Sequence, residues 1–150
     1  MEYSNIDIEF MERTLKIIEQ YDTLELPLDE KFEITLLTNC LLGLIVFPRE
    51  KTISKIPTER LTSELKARIG LSKSYINSRY TNMRDLIQGL RISVAHFKID
   101  YTSNHKNIDR LIFYNDRSTE KIAEFTQDEL ILFIKYYIYQ TIDNIRQLPS

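Results

Sequence analysis

Arg110-Leu-Ile-Phe-Tyr-Asn-Asp-Arg-Ser-Thr-Glu-Lys-Ile-Ala-Glu-Phe125 decides the fold class, because its two apolar runs lack helical spacing. Arg110–Tyr114 and Lys121–Phe125 are rich in β-branched and aromatic residues, and Asn115–Ser118 between them has turn composition. The reading is a small β-hairpin. Two strands alone are marginal in water, so the hairpin has to lean on helices.

Helical periodicity dominates on both sides of it. Downstream, Thr126 and Glu129 form a capping-box pattern. Leu130, Phe133, Ile134, Tyr137, Ile138, Thr141, Ile142 and Ile145 then recur at helical spacing. Upstream, Met83, Leu86, Ile87, Leu90, Val94 and Phe97 share one face of a helix expected over residues 77–97. A first helix over residues 6–21 carries Phe10, Met11, Leu15, Ile17, Ile18 and Tyr21, with Ser4 or Asn5 as its N-cap. Residues 34–47 read as a helix buried on most sides and stopped by Pro48. The fold class that follows is mainly α: a helical bundle with a small β-hairpin before the C-terminal helix, in one domain over residues 1–150.

Composition narrows the setting. Of 150 residues, three are glycine and four proline, which leaves no room for a linker-rich chain. The single cysteine, Cys40, sits in the most apolar stretch and reads as a small core residue. With no partner it cannot form an internal disulfide, so a cytoplasmic setting is expected. The N-terminus is acidic and has no apolar leader-like run. At about 14 residues, the longest apolar stretch falls short of the roughly 20 that a bilayer requires. No membrane contact is expected.

A formal charge of −2 hides a strong segregation. Residues 1–47 carry ten acids against three bases. Residues 48–98 carry eleven bases against four acids, a local excess of seven positive charges. A phosphate backbone responds to local cation density, so this middle third is a candidate nucleic-acid footprint. The alternative is that the acidic first helix packs beside it and cancels its field.

With two histidines, His96 and His105, a multi-histidine metal site has too few ligands. No H-E-x-x-H, C-x-x-C, Walker or G-x-G-x-x-G pattern occurs, so neither a metal nor a cofactor is expected. What stands out is Leu90-Arg-Ile-Ser-Val-Ala-His-Phe97, with Arg91 and His96 at the end of an amphipathic helix. An imidazole titrates near neutrality and can take or give a proton there. A guanidinium stays cationic and can grip two phosphate oxygens at once.

This Arg-x4-His arrangement resembles the motif of the HEPN family (higher eukaryotes and prokaryotes nucleotide-binding). The helix-rich chain and the segment Leu41-Leu-Gly-Leu-Ile-Val-Phe-Pro-Arg-Glu50 are also similar to bacterial HEPN nuclease-like proteins, so the likeness covers most of the chain. The resemblance implies a metal-independent endoribonuclease, acting as a toxin or in anti-phage defence under a cognate antitoxin or regulator. In it, His96 is the acid/base, Arg91 the phosphate clamp, and RNA ends in a 2′,3′-cyclic phosphate. Ser93, Lys98 and Tyr101 are auxiliary contacts. Many members follow the arginine with a polar residue where this chain has Ile92, so an inactive scaffold that binds RNA or protein is the alternative.

Residues five apart on an ideal helix lie about 140° apart. One straight helix therefore does not aim Arg91 and His96 at a single point. Either the helix unwinds near Ala95, or a second subunit completes the site, as in HEPN ribonucleases; a homodimer is expected.

A second reading concerns Leu61–Arg79, which resembles a DNA-binding helix-turn-helix. Glu64-Leu65 opens a short helix, Ile69-Gly-Leu71 forms the turn, and Ser72 caps a second helix carrying Ser74, Asn77 and Arg79. Lys66 stands where such motifs place a small residue, with Ala67 one position late.

Overall fold

The computed structural model describes residues 6–27, 35, 36, 39, 40, 43, 54–104 and 107–147. Among them the helices are α1 (Ile6–Asp22), α2 (Ser63–Ile69), α3 (Met83–Ala95) and α4 (Gln127–Gln147). The strands are β1 (Tyr75–Ile76), β2 (Ile99–Asn104), β3 (Asn107–Tyr114) and β4 (Lys121–Thr126). Of the expected helix over 34–47 only residues 35, 36, 39, 40 and 43 are described, all of them helical; the N-cap at Ser4 or Asn5 and His105 lie outside the described residues.

The architecture is mixed α and β, which corrects the expectation of a mainly helical bundle. The expected hairpin exists as β3–β4, but it is the centre of a four-stranded antiparallel sheet ordered β1-β4-β3-β2. Two further strands complete it. β2 pairs Ile99 with Phe113 and Tyr101 with Leu111, and β1 pairs Tyr75 with Glu124. β2, largely polar, forms a second hairpin with β3, whereas β1 is only Tyr-Ile and owes its strand form to pairing with β4 much further along the chain.

One face of β3 and β4 presents Leu111, Phe113, Ala123 and Phe125, all fully buried, to α3 and α4. Phe125 meets Phe113 edge-on at a centroid distance of 6.1 Å and Phe133 of α4 at 5.1 Å. Burying each such side chain stabilises the fold by about 2–3 kcal/mol. From α3 come Met83, Leu86, Ile87, Leu90 and Val94, and from α4 Leu130, Phe133, Ile134, Tyr137 and Ile138. Both sets match the helical stripes read from sequence. α1 lies on α4 through Met11, Leu15 and Ile18, whereas Phe10 and Ile17 of its expected stripe are exposed. Cys40 is partly buried against the same core.

The helix-turn-helix reading fails. α2 does form, with Thr62 as N-cap and Gly70 in the left-handed conformation at its end. The expected second helix is instead β1, whose backbone is bound to β4. Asn77 is buried, donating to Glu120 Oε1 and the Lys121 carbonyl, and Arg79 pairs with Glu120 at 3.0 Å. The residues meant to read DNA hold the sheet edge instead.

The described ion pairs of the acidic first helix run from Arg13 to Glu9 within α1 and from Arg146 of α4 to Glu12.

Candidate active site

α3 is fixed at both ends by its own sequence. Asn82 is the N-cap: its Oδ1 accepts from the Asp85 N–H, and its amide donates back to Asp85 Oδ2. At the other end Phe97 N–H bonds Val94 O and Lys98 N–H bonds Ser93 O, the paired pattern that closes a helix through one left-handed residue. That residue is Phe97, at φ 56°, and it alone among the described non-glycine residues has positive φ. The helix thus stops at Ala95 and the chain reverses into β2. Phe97, expected on the buried stripe, is 79% exposed instead.

His96 sits at this reversal as the helix cap, with most of its side chain in solvent. Its Nε2 lies 3.9 Å from Asp116 Oδ2 in the β3–β4 turn. The two are brought together because the Tyr114 N–H bonds the Lys98 carbonyl, seating the turn beside the end of α3. Arg91 is half-buried one turn earlier and makes no described hydrogen bond or ion pair. Its charge is felt by the phenol of Tyr137, where burial pushes the pKa up and the guanidinium partly opposes it. Arg91 and His96 thus face different neighbours, α4 and the β3–β4 turn respectively, as the angular spacing implied.

Ser93 is fully buried and its hydroxyl donates to the Lys98 carbonyl at 2.8 Å, so it braces the reversal and does not reach solvent. Lys98 and Tyr101 are exposed on the strand leaving the site, and Ile92, beside Arg91, is 45% exposed. Of the tyrosine cluster in α4, Tyr137 is core, Tyr136 is hydrogen-bonded to Glu59, and Tyr139 is exposed.

Sequence reading missed Asp116, which it had only as a turn residue, and Tyr80. The Tyr80 ring lies against Gly89 of α3, where an added Cβ would come within 2.7 Å of Cε1. Burial raises the Tyr80 phenol pKa, as does Glu120, while Arg79 and the Asn115 side chain work against them. Among the described residues no group of three or more His, Cys, Asp or Glu side chains is arranged to hold a metal ion. No described helix is long and apolar enough to cross a membrane.

An amphipathic helix ending in Arg-x4-His is the feature by which the chain resembles the HEPN class. Comparison with known families assigns it there: it matches HEPN pEK499 p136 over residues 1–148 and belongs to that family. No curated protein and no solved structure matches it.

Proposed function

We propose that this chain is a metal-independent endoribonuclease whose chemistry rests on Arg91 and His96. One observation carries the reading: the motif cation makes no described ion pair and the motif imidazole is open to solvent, so neither is consumed by the fold. Family membership supports the same assignment.

In this mechanism an imidazole removes the proton of an RNA 2′-hydroxyl and the 2′-oxygen attacks phosphorus. The bond to the 5′-oxygen breaks, and that oxygen receives a proton from an imidazolium. The products are a 2′,3′-cyclic phosphate and a free 5′-hydroxyl. Arg91 neutralises the charge that accumulates on the phosphorane oxygens. Asp116, whose Oδ2 lies 3.9 Å from His96 Nε2, places a carboxylate beside the ring from the β3–β4 turn. Lys98 and Tyr101 contact the strand, and Ser93 acts by bracing the Lys98 backbone.

The different directions of Arg91 and His96 call for a second copy, and a homodimer about a two-fold axis supplies both groups to one phosphate. In the cell the activity is that of a toxin or anti-phage effector in the cytoplasm, held in check by a cognate antitoxin or regulator.

Labelled RNA incubated with the protein in EDTA tests the reading. Cleavage is expected to persist, and to fall by about 10²–10⁴-fold in His96→Ala and Arg91→Ala. Undiminished cleavage by both variants overturns it. The exposed apolar Ile92 next to Arg91 favours a second reading, an inactive scaffold; that version binds RNA and shows no turnover. Expression of wild type and His96→Ala in bacteria, scored for growth and RNA integrity, separates an effector from a scaffold.

A further inference from the structure

The stretch once read as a helix-turn-helix folds back on itself to enclose a cleft of about 300 Å³. Its walls are tied by backbone bonds from Leu61 N–H to Thr81 O and from Met83 N–H to Glu59 O. Leu61, Ile76 and Tyr80 line it with apolar and aromatic surface, Ser78 adds a hydroxyl, and Arg60 and Lys66 bring two cations. No acidic residue is among the described residues that line it.

Other cations of this basic segment are committed. Arg68 pairs with Glu59, Arg79 with Glu120, and Arg84 donates to the carbonyls of Ser54 and Ile56. The side chains of Arg60 and Lys66 make no described hydrogen bond or ion pair. Two cations lining one cleft attract an anion such as a phosphate. An aromatic and aliphatic lining beside the cations suits a nucleobase, since every base offers a π-face. The volume is at the lower end of ordinary small-ligand sites.

Tyr80 connects this cleft to the candidate active site. Its ring lies on Gly89 of α3, and its phenol pKa is lowered in part by the side chain of Asn115, the residue before Asp116. We propose that the cleft holds one nucleotide of the RNA strand, with its phosphate between Arg60 and Lys66 and its base against Tyr80, while a phosphate elsewhere on the strand lies at Arg91 and His96. The strand assignment rests on the ribonuclease reading; the nucleotide cleft does not.

Backbone amide shifts of the full chain, titrated with AMP and with a 2′-O-methyl hexanucleotide that cannot be cleaved, test both parts. Both ligands are expected to move the amides of Leu61, Ser78 and Tyr80. Arg60→Ala/Lys66→Ala, two exposed or half-exposed changes that leave the fold intact by circular dichroism, abolishes those shifts. It also weakens the hexanucleotide about tenfold and lowers the slope of log affinity against log salt by about 0.7–1.4. Cleft amides that stay still with both ligands overturn the proposal, even where the hexanucleotide moves Arg91 and His96 and the ribonuclease reading survives. Shifts from AMP alone overturn the strand assignment and make the cleft a free-nucleotide site. If RNA is neither bound nor cut, those AMP shifts keep the cleft while the ribonuclease reading falls.

Discussion

Phe97 and Gly70 hold the same left-handed position at the ends of α3 and α2, and only one of them is suited to it. A side chain in that conformation costs about 1–2 kcal/mol, partly offset by the extra freedom that glycine loses on folding. Phe97→Gly is therefore expected to raise stability by about 0.5–1 kcal/mol in denaturant unfolding; a loss of stability refutes the strain. Ser93 has the opposite character. Ser93→Ala removes one of two donors to the Lys98 carbonyl, which keeps the Tyr114 N–H, and should cost about 0.5–1.5 kcal/mol. Because that bond sets the path from His96 to Lys98, the same variant is expected to lower RNA cleavage with the motif pair intact. Unchanged stability would show that the brace is dispensable.

At the scale of elements, α4 starts with half of the capping box its sequence announces. The Glu129 N–H bonds Thr126 Oγ1, but the Glu129 carboxylate turns away from its own helix end. It accepts from the Lys73 N–H and the Ser74 hydroxyl, fastening the loop before β1. Glu129→Ala is expected to cost about 2–3 kcal/mol by chemical denaturation and to loosen β1 first in hydrogen exchange. Uniform exchange across the sheet would contradict that. The same contrast explains what could be read in advance. The stripes of α3 and α4 and the β3–β4 hairpin were legible because each carries its periodicity within a dozen or so residues. β1 was not, because two residues carry no period and their partner β4 lies far along the chain, and β2 was not, because its residues are largely polar although its partner β3 follows directly. In the site, Arg91 and His96 were legible as a motif. Asp116 was not, since the β2–β3 pairing, extended by the Tyr114–Lys98 backbone bond, brings its turn to the end of α3. Phe97 was misplaced because a helical stripe does not announce where its helix stops.

For the molecule as a whole, the basic middle third resolves into cations that build the fold and cations left open. The arrangement of the latter leads to a complementation test. Arg91→Ala and His96→Ala, each inactive alone, are expected to recover RNA cleavage when mixed and allowed to exchange subunits, because a mixed dimer holds one intact composite site. No recovery in a mixture shown to exchange means that each protomer works alone. Alkaline stability offers a separate check. Burial raises the phenol pKa of Tyr137, and also those of Tyr136 and Tyr80. Above the ordinary tyrosine value of about 10, the unfolded chain loses these protons before the folded one does. Stability is therefore expected to be independent of these groups at neutral pH and to fall as pH rises past about 10. Tyr137→Phe should flatten that alkaline decline. The sheet sets a limit of another kind. One edge, β1, is two residues long, and the other, β2, is broken by a register shift between Thr102 and Ser103. Short and irregular edges are poor templates for a further strand. Two copies are therefore expected to meet through other surfaces, and the sheet offers little purchase for edge-to-edge growth into fibres.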